Sequence, residues 1–147
     1  MNSVKVCIVA CCVLLAGINR IMNIKKCSKA LYEAIRFINL TKNNIRFSSM
    51  DYDGLVESGK KEGFSFISFD GNISISDCVG EKLKNEFESF VRKIGTTDET
   101  GQMSICDEYI EQFKNYYNEY KKNEKGKINV VGALSAFCVV CILILGG

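Results

Sequence analysis

Apolar residues gather at the two ends of the chain and thin out between them. Near the carboxyl end, Ile128 to Leu145 reads INVVGALSAFCVVCILIL, eighteen residues without a charge. As helix this run is ~27 Å long, close to the ~30 Å hydrocarbon core of a bilayer. Gly132, Ser135 and Ala136 lie within it, and small residues let a neighbouring helix approach closely. Near the amino end the uncharged run is shorter, Val6 to Ile18, or ~20 Å of helix. It crosses a bilayer if Lys5 and Arg20 snorkel, if the bilayer thins, or if the helix continues to Met22. The pattern predicts an N-terminal transmembrane anchor at 4–22, a helical domain at 23–127 and a C-terminal transmembrane helix at 128–147.

The first run has a competing reading as a signal peptide, with Met1–Lys5 as a short basic leader. No small-x-small cleavage site follows it at the right place, and Ser28-Lys29-Ala30 lies too far downstream. A lipid anchor through Ile8-Val9-Ala10-Cys11 leaves only a few apolar residues before the cysteine. An uncleaved anchor fits best. Lysine and arginine near a membrane set topology. Lys5 alone precedes the first run, whereas Arg20, Lys25, Lys26 and Lys29 follow it. Lys121, Lys122, Lys125 and Lys127 precede the second run, and only Gly146 and Gly147 follow it. The expectation is a cytoplasmic middle with both termini across the membrane.

Within the middle, Ile24, Cys27, Leu31, Ala34, Ile35, Ile38 and Ile45 recur at the three-and-four spacing of an amphipathic helix. No glycine or proline separates this helix from the first apolar run, so the two should be continuous. Val79, Leu83, Phe87, Phe90, Val91 and Ile94 form a second stripe, with Asp77 as a cap. Gly95 then stands where a left-handed glycine ends a helix, and Arg92 and Lys93 oppose the dipole in the last turn. Thr96 with Glu99 matches a capping box. Met103, Cys106, Ile110, Phe113, Tyr117 and Tyr120 make a third stripe that runs on towards the second apolar run, with Gly126 at the junction.

Residues 63–77 differ. Ile73-Ser74-Ile75-Ser76 alternates, Phe64, Phe66 and Phe69 favour strands, and Asp70-Gly71-Asn72 is turn chemistry. This is the pattern of a small two-stranded hairpin that must pack on the helices. Irregular or helical structure is the alternative. The fold class expected overall is mainly α, a helical bundle between two terminal transmembrane helices.

Composition narrows the chemistry. Histidine, proline and tryptophan are absent from the 147 residues, and Lys+Arg of 19 against Asp+Glu of 17 gives +2. Without histidine there is no imidazole base, no Ser-His-Asp arrangement and no imidazole zinc ligand. The near-neutral balance does not mark a nucleic-acid binder. Five of the eight cysteines, Cys7, Cys11, Cys12, Cys138 and Cys141, fall in the apolar runs, where thiols act as small hydrophobes. Cys27, Cys78 and Cys106 remain, which is no metal framework. Cys138-Val-Val-Cys141 has redox-pair spacing but follows no βαβ pattern. Gly54-Leu-Val-Glu-Ser-Gly59-Lys60-Lys61 approaches a phosphate-binding loop, yet Lys61 stands where Ser or Thr must hold magnesium. A solvated loop is the plain expectation there. Neither an enzyme nor a cofactor site is expected.

One stretch adds a resemblance: Phe90-Val-Arg-Lys-Ile-Gly95-Thr-Thr-Asp98-Glu-Thr-Gly-Gln102. It resembles the Leu-Gly-x-x-Asp-x-x-x-Gln element of the stage III sporulation protein AB family, with Ile94 for the leucine and Gly95, Asp98 and Gln102 matching. The layout of anchor, basic exit, helices and glycine-containing final span is similar throughout. Asp53-Gly54-Leu55 stands where that family has Pro-Leu, and 63–77 reads as strand where the family is helical. The resemblance implies a non-enzymatic platform or adaptor subunit of the sporulation channel between mother cell and forespore. Its soluble part would be similar to the cytoplasmic domain of the type II secretion F platform protein. The implied partners are other channel proteins, above all a cytoplasmic secretion-type ATPase, while the juxtamembrane lysines by themselves point to contact with membrane-lipid headgroups. Nucleic acid and small-molecule substrates are not expected. Gly95, Asp98 and Gln102 would then either fix the angle between two helices or form the corner where the ATPase docks. The competing classes are an unrelated small membrane protein, such as a toxin or signalling subunit, and a domain secreted after signal cleavage.

Overall fold

The computed structural model describes residues 2–47, 52–68 and 71–146. Four α-helices make up most of it: α1 (Asn2–Phe47), α2 (Tyr52–Lys61), α3 (Glu81–Lys93) and α4 (Glu99–Gly146). A single 3-10 turn, Asp77–Val79, precedes α3. The mainly helical class expected from the stripes is what the chain adopts. As the uninterrupted pattern requires, α1 continues from the first apolar run into the middle of the chain. Likewise α4 runs without a break through Gly126 into the second.

Two compact units result. One comprises Met1–Lys26 with Tyr120–Gly147, and the other Cys27–Glu119. Packing sets these boundaries, so they need not coincide with the 22/23 and 127/128 limits that hydropathy sets.

In the terminal unit the outer halves of α1 and α4 pair antiparallel. Gly17 is buried where they meet: a Cβ placed on it would lie 2.3 Å from Ser135 Oγ. Only hydrogen at that position lets the helices close. Ser135 returns its hydroxyl proton to the Val131 carbonyl at 2.8 Å, so no hydroxyl is left unpaired in the apolar run. Further along, Tyr120 O–H donates to the Ile24 carbonyl at 3.2 Å. The outward faces are apolar: Leu15 is 65% exposed, Phe137 67% and Ile144 74%. Both helices are long and apolar enough to cross a membrane.

In the central unit the core is aromatic. Phe37 of α1 is fully buried and meets Phe64, Phe66 and Phe87 with ring centroids 5.6, 5.4 and 5.9 Å away. Phe87 extends the cluster to Phe113 of α4, and Phe90 closes it on Tyr109 at 5.3 Å. Edge-on and tilted ring pairs of this kind add about 0.5–1.5 kcal/mol each beyond area burial. Four segments therefore meet at one cluster. Burial on α1 extends well beyond the expected stripe to Ser28, Glu33, Phe37 and Thr41. Glu33 is satisfied by the Ser65 hydroxyl at 2.7 Å and faces Lys29 at 3.6 Å. Thr41 donates to the Phe37 carbonyl at 2.9 Å.

The hairpin expected over 63–77 reduces to an isolated antiparallel bridge between Ile67 and Ile73, with no strand among the described residues. Ser68 N–H donates to Asn72 C=O and Ser74 N–H to Phe66 C=O. Phe64 and Phe66, like Ile73 and Ile75, are buried two residues apart, so the inward-facing period of a strand is kept although pairing does not extend beyond the one bridge. Phe69 and Asp70 lie outside the described residues.

The near P-loop also departs from expectation. Gly54 to Lys61 is not a solvated loop but lies within α2, where the amide protons beyond the first turn are taken up by helix bonds. Gly59 is buried, and a Cβ there would meet Ile67 Cδ1 at 2.2 Å and Phe37 Cε2 at 3.2 Å. That glycine serves packing. Asp77 does not cap α3: Gly80 is the residue before it, and Asp77 accepts from Lys84 Nζ at 2.6 Å instead. This bonded ammonium holds the Asp77 carboxyl below its ordinary range.

Candidate functional site

The three residues singled out by sequence, Gly95, Asp98 and Gln102, come together at the corner between α3 and α4. The corner forms from local rules. Helix α3 ends when Ile94 takes extended angles, φ −67° and ψ 133°, and Gly95 follows at φ +83°. Only glycine adopts that left-handed angle without steric cost. Thr96 then uses its hydroxyl to donate to the Lys93 carbonyl at 2.7 Å. The capping box expected with Glu99 does not form, because α4 begins at Glu99 itself and Thr96 lies two residues before the cap position.

Asp98 is the cap in its place. Its Oδ1 accepts from Gly101 N–H at 3.1 Å, and its carbonyl receives the first helical bond, from Gln102 N–H at 2.9 Å. A carboxylate at this position also favours the helix dipole. Gln102 closes the loop in both directions. Its Oε1 accepts from Gly95 N–H at 3.2 Å, and its Nε2 donates to Thr97 C=O at 2.8 Å. One amide side chain thus ties the residue that ends one helix to the loop that begins the next.

Gly101 completes the corner and escaped the sequence reading. A Cβ there would meet Thr97 Oγ1 at 2.7 Å and Asp98 Oδ1 at 2.9 Å. The available signal was its position three residues after the capping aspartate, where the helix backbone passes closest to the cap.

Beside the corner lies an open groove of about 550 Å³, bounded by Asn72 and Ser74 of the connector and by Lys84, Glu88, Arg92 and Ile94. Its charges are largely matched internally, Lys84 with Asp77 and Arg92 with Glu88 at 3.9 Å. The arrangement is polar and open, suited to a protein surface rather than to an enclosed ligand.

On the opposite flank of α3, Glu86 accepts from Gln112 Nε2 at 2.9 Å and from Tyr116 O–H at 3.3 Å. Tyr109 O–H donates to Ser89 Oγ at 3.3 Å. These bonds brace α3 against α4. The three cysteines of this unit are dispersed. Cys27 donates its thiol proton to the Cys78 carbonyl, Cys78 is exposed, and Cys106 is buried. Burial pushes the Cys106 thiol up to about 11, and the neighbouring Asp107 charge adds to the shift.

No family model, curated protein or solved structure matches the chain.

Proposed function

We propose that this protein is a two-span membrane protein whose central helical unit is a non-enzymatic platform for a partner on the lysine-rich side. The observation that carries the reading is the pair of long helices with outward-facing apolar surfaces, each bordered by lysines towards the middle of the chain. Apolar faces of that extent are unfavourable in water and stable in lipid. The lysine bias orients the central unit to the cytoplasm. The finer reading rests on the resemblance around Gly95, Asp98 and Gln102. It makes the chain a mother-cell subunit of the sporulation channel that couples to a secretion-type ATPase. The α3–α4 corner and its groove are the surface assigned to that partner.

Topology is tested with a membrane-impermeant thiol reagent on intact cells, with a denatured control because Cys27 and Cys106 are buried. Exposed Cys78 should stay unlabelled until the membrane is opened. Labelling of Cys78 from outside reverses the orientation, and an N-terminus missing from the membrane fraction favours the secreted alternative. The partner is tested by affinity capture of the full chain from sporulating cells. Recovery of the ATPase supports the platform reading; its absence leaves the toxin or signalling class in front. The purified chain should not bind ATP, and saturable binding lost in Lys60→Ala would overturn the non-enzymatic assignment.

A further inference from the structure

The cations at the inner end of the terminal unit form a two-helix layer. Arg20, Lys25 and Lys26 of α1 and Lys122 and Lys125 of α4 are exposed, and none makes an ion pair among the described residues. Lys127 sits over the Tyr120 ring, 4.8 Å from its centroid. The acid within this layer, Glu124, is buried and faces Lys121 Nζ at 2.6 Å. The bond from Tyr120 to the Ile24 carbonyl brings the two clusters to one height along the helix pair. Residues 20–26 and 121–127 each cover ~9 Å of axis, comparable with the ~5–8 Å headgroup layer on one side of a bilayer.

The angular distribution separates lipid from protein as the ligand. At ~100° per residue, Lys25 and Lys26 diverge by about 100°, and Arg20 lies about 120° from Lys26. On α4, Lys127 lies about 160° from Lys125. A protein docks on one face, whereas lipid surrounds the whole perimeter. From this geometry we propose that Arg20, Lys25, Lys26, Lys122, Lys125 and Lys127 form a collar that selects anionic phospholipid headgroups in one leaflet. The inference rests on the two-span reading above. Tyr120 anchors the layer at the interface, as aromatic residues do, and the other end of the unit carries only Lys5.

The full chain is reconstituted in phosphatidylcholine bilayers with spin-labelled phosphatidylglycerol or phosphatidylcholine as reporter. The ratio of their association constants at the protein boundary is read by electron paramagnetic resonance. Wild type should prefer phosphatidylglycerol by at least about five-fold, the factor a single well-placed cation supplies. Replacing Arg20, Lys25, Lys26, Lys122, Lys125 and Lys127 together with Gln should bring the ratio below about two-fold, while Lys60, Lys61, Lys93 and Lys114 changed to Gln should leave it intact. Absence of preference in wild type, retention of it in the first variant, or equal loss in the second overturns the collar. Displacement of the lipid by inorganic phosphate, beyond that by chloride at equal ionic strength, would identify a free-phosphate site and also overturn it. Resistance to alkaline carbonate extraction is scored separately. An extracted chain fails the two-span reading itself, whereas an inserted chain without lipid preference fails only the collar.

Discussion

Replacing Gln102 by Ala removes both bonds that its side chain makes across the α3–α4 corner. Gly95 N–H loses its acceptor and Thr97 C=O its donor. Each neutral bond contributes about 0.5–1.5 kcal/mol net. Both bonded groups are exposed, so water re-satisfies them and the lower part of that range applies. The two bonds together come to about 1–2 kcal/mol, from which a few tenths must be subtracted because Ala is the better helix former. The expected loss is ~1 kcal/mol, or about 4–8 °C in Tm for a unit of this size. The assay is thermal unfolding of the full chain in detergent, followed by helical circular dichroism. Asn115→Ala, on an exposed part of the same helix, controls for propensity. Gly95→Ala should cost about 1–2 kcal/mol, because its φ of +83° is the whole penalty and nothing lies within 4 Å of the new Cβ. The double variant should lose less than the sum, since Gly95 and Gln102 share a bond. The reasoning is refuted if Gln102→Ala raises Tm as Asn115→Ala does and the double variant is strictly additive. A Gln102→Ala chain that is less stable yet captures the ATPase normally would leave the corner as scaffold and move the docking surface elsewhere.

Four further outcomes follow. Phe37→Ala should cost about 3–5 kcal/mol in denaturant titration, and Phe37→Leu clearly less; a loss below about 1 kcal/mol would show that the ring cluster is not the core. The Cys106 thiol is raised from 9.0 to about 11 in the folded chain. Its contribution is therefore fully present below pH 9 and is lost as pH rises through about 11. Stability should fall more steeply between those limits in wild type than in Cys106→Ala; parallel curves would contradict the shift. Gly17→Val should force the terminal helices apart, because even a Cβ meets Ser135 Oγ at 2.3 Å. Spin labels on the two helices would read an increased distance, and an unchanged distance would contradict the close crossing. Gly101→Ala should weaken the α4 cap by about 1 kcal/mol, measured as faster amide exchange at the corner; unchanged exchange would show that Thr97 and Asp98 yield freely.

The long helices were legible because their apolar spacing survives over many turns without a breaker. The corner was legible at Gly95, whose angle almost requires glycine, and at Gln102, one turn beyond the cap. The cap of α4 is Asp98, two residues beyond the Thr96 that the capping-box pattern points to, because α4 begins at Glu99. Phe37 was missed because a single stripe presumes that one side of α1 faces water. In the central unit α1 is covered over a wide arc, and its second buried flank meets Phe64 and Phe66, residues that read as strand. Periodicity reports how many faces are apolar only when polar residues are excluded from the core, and Ser28, Glu33 and Thr41 are buried here with partners.

The ring cluster has a kinetic counterpart. Phe90 and Tyr109 are joined through a short corner, so the α3–α4 pair closes with little loop entropy. Phe37 reaches Phe87 only across a much longer loop. Folding of the central unit should therefore nucleate at the corner and admit α1 late. Substitutions at Gly95 would then slow refolding, while those at Phe37 would mainly hasten unfolding, a division that the two arms of a chevron plot separate directly.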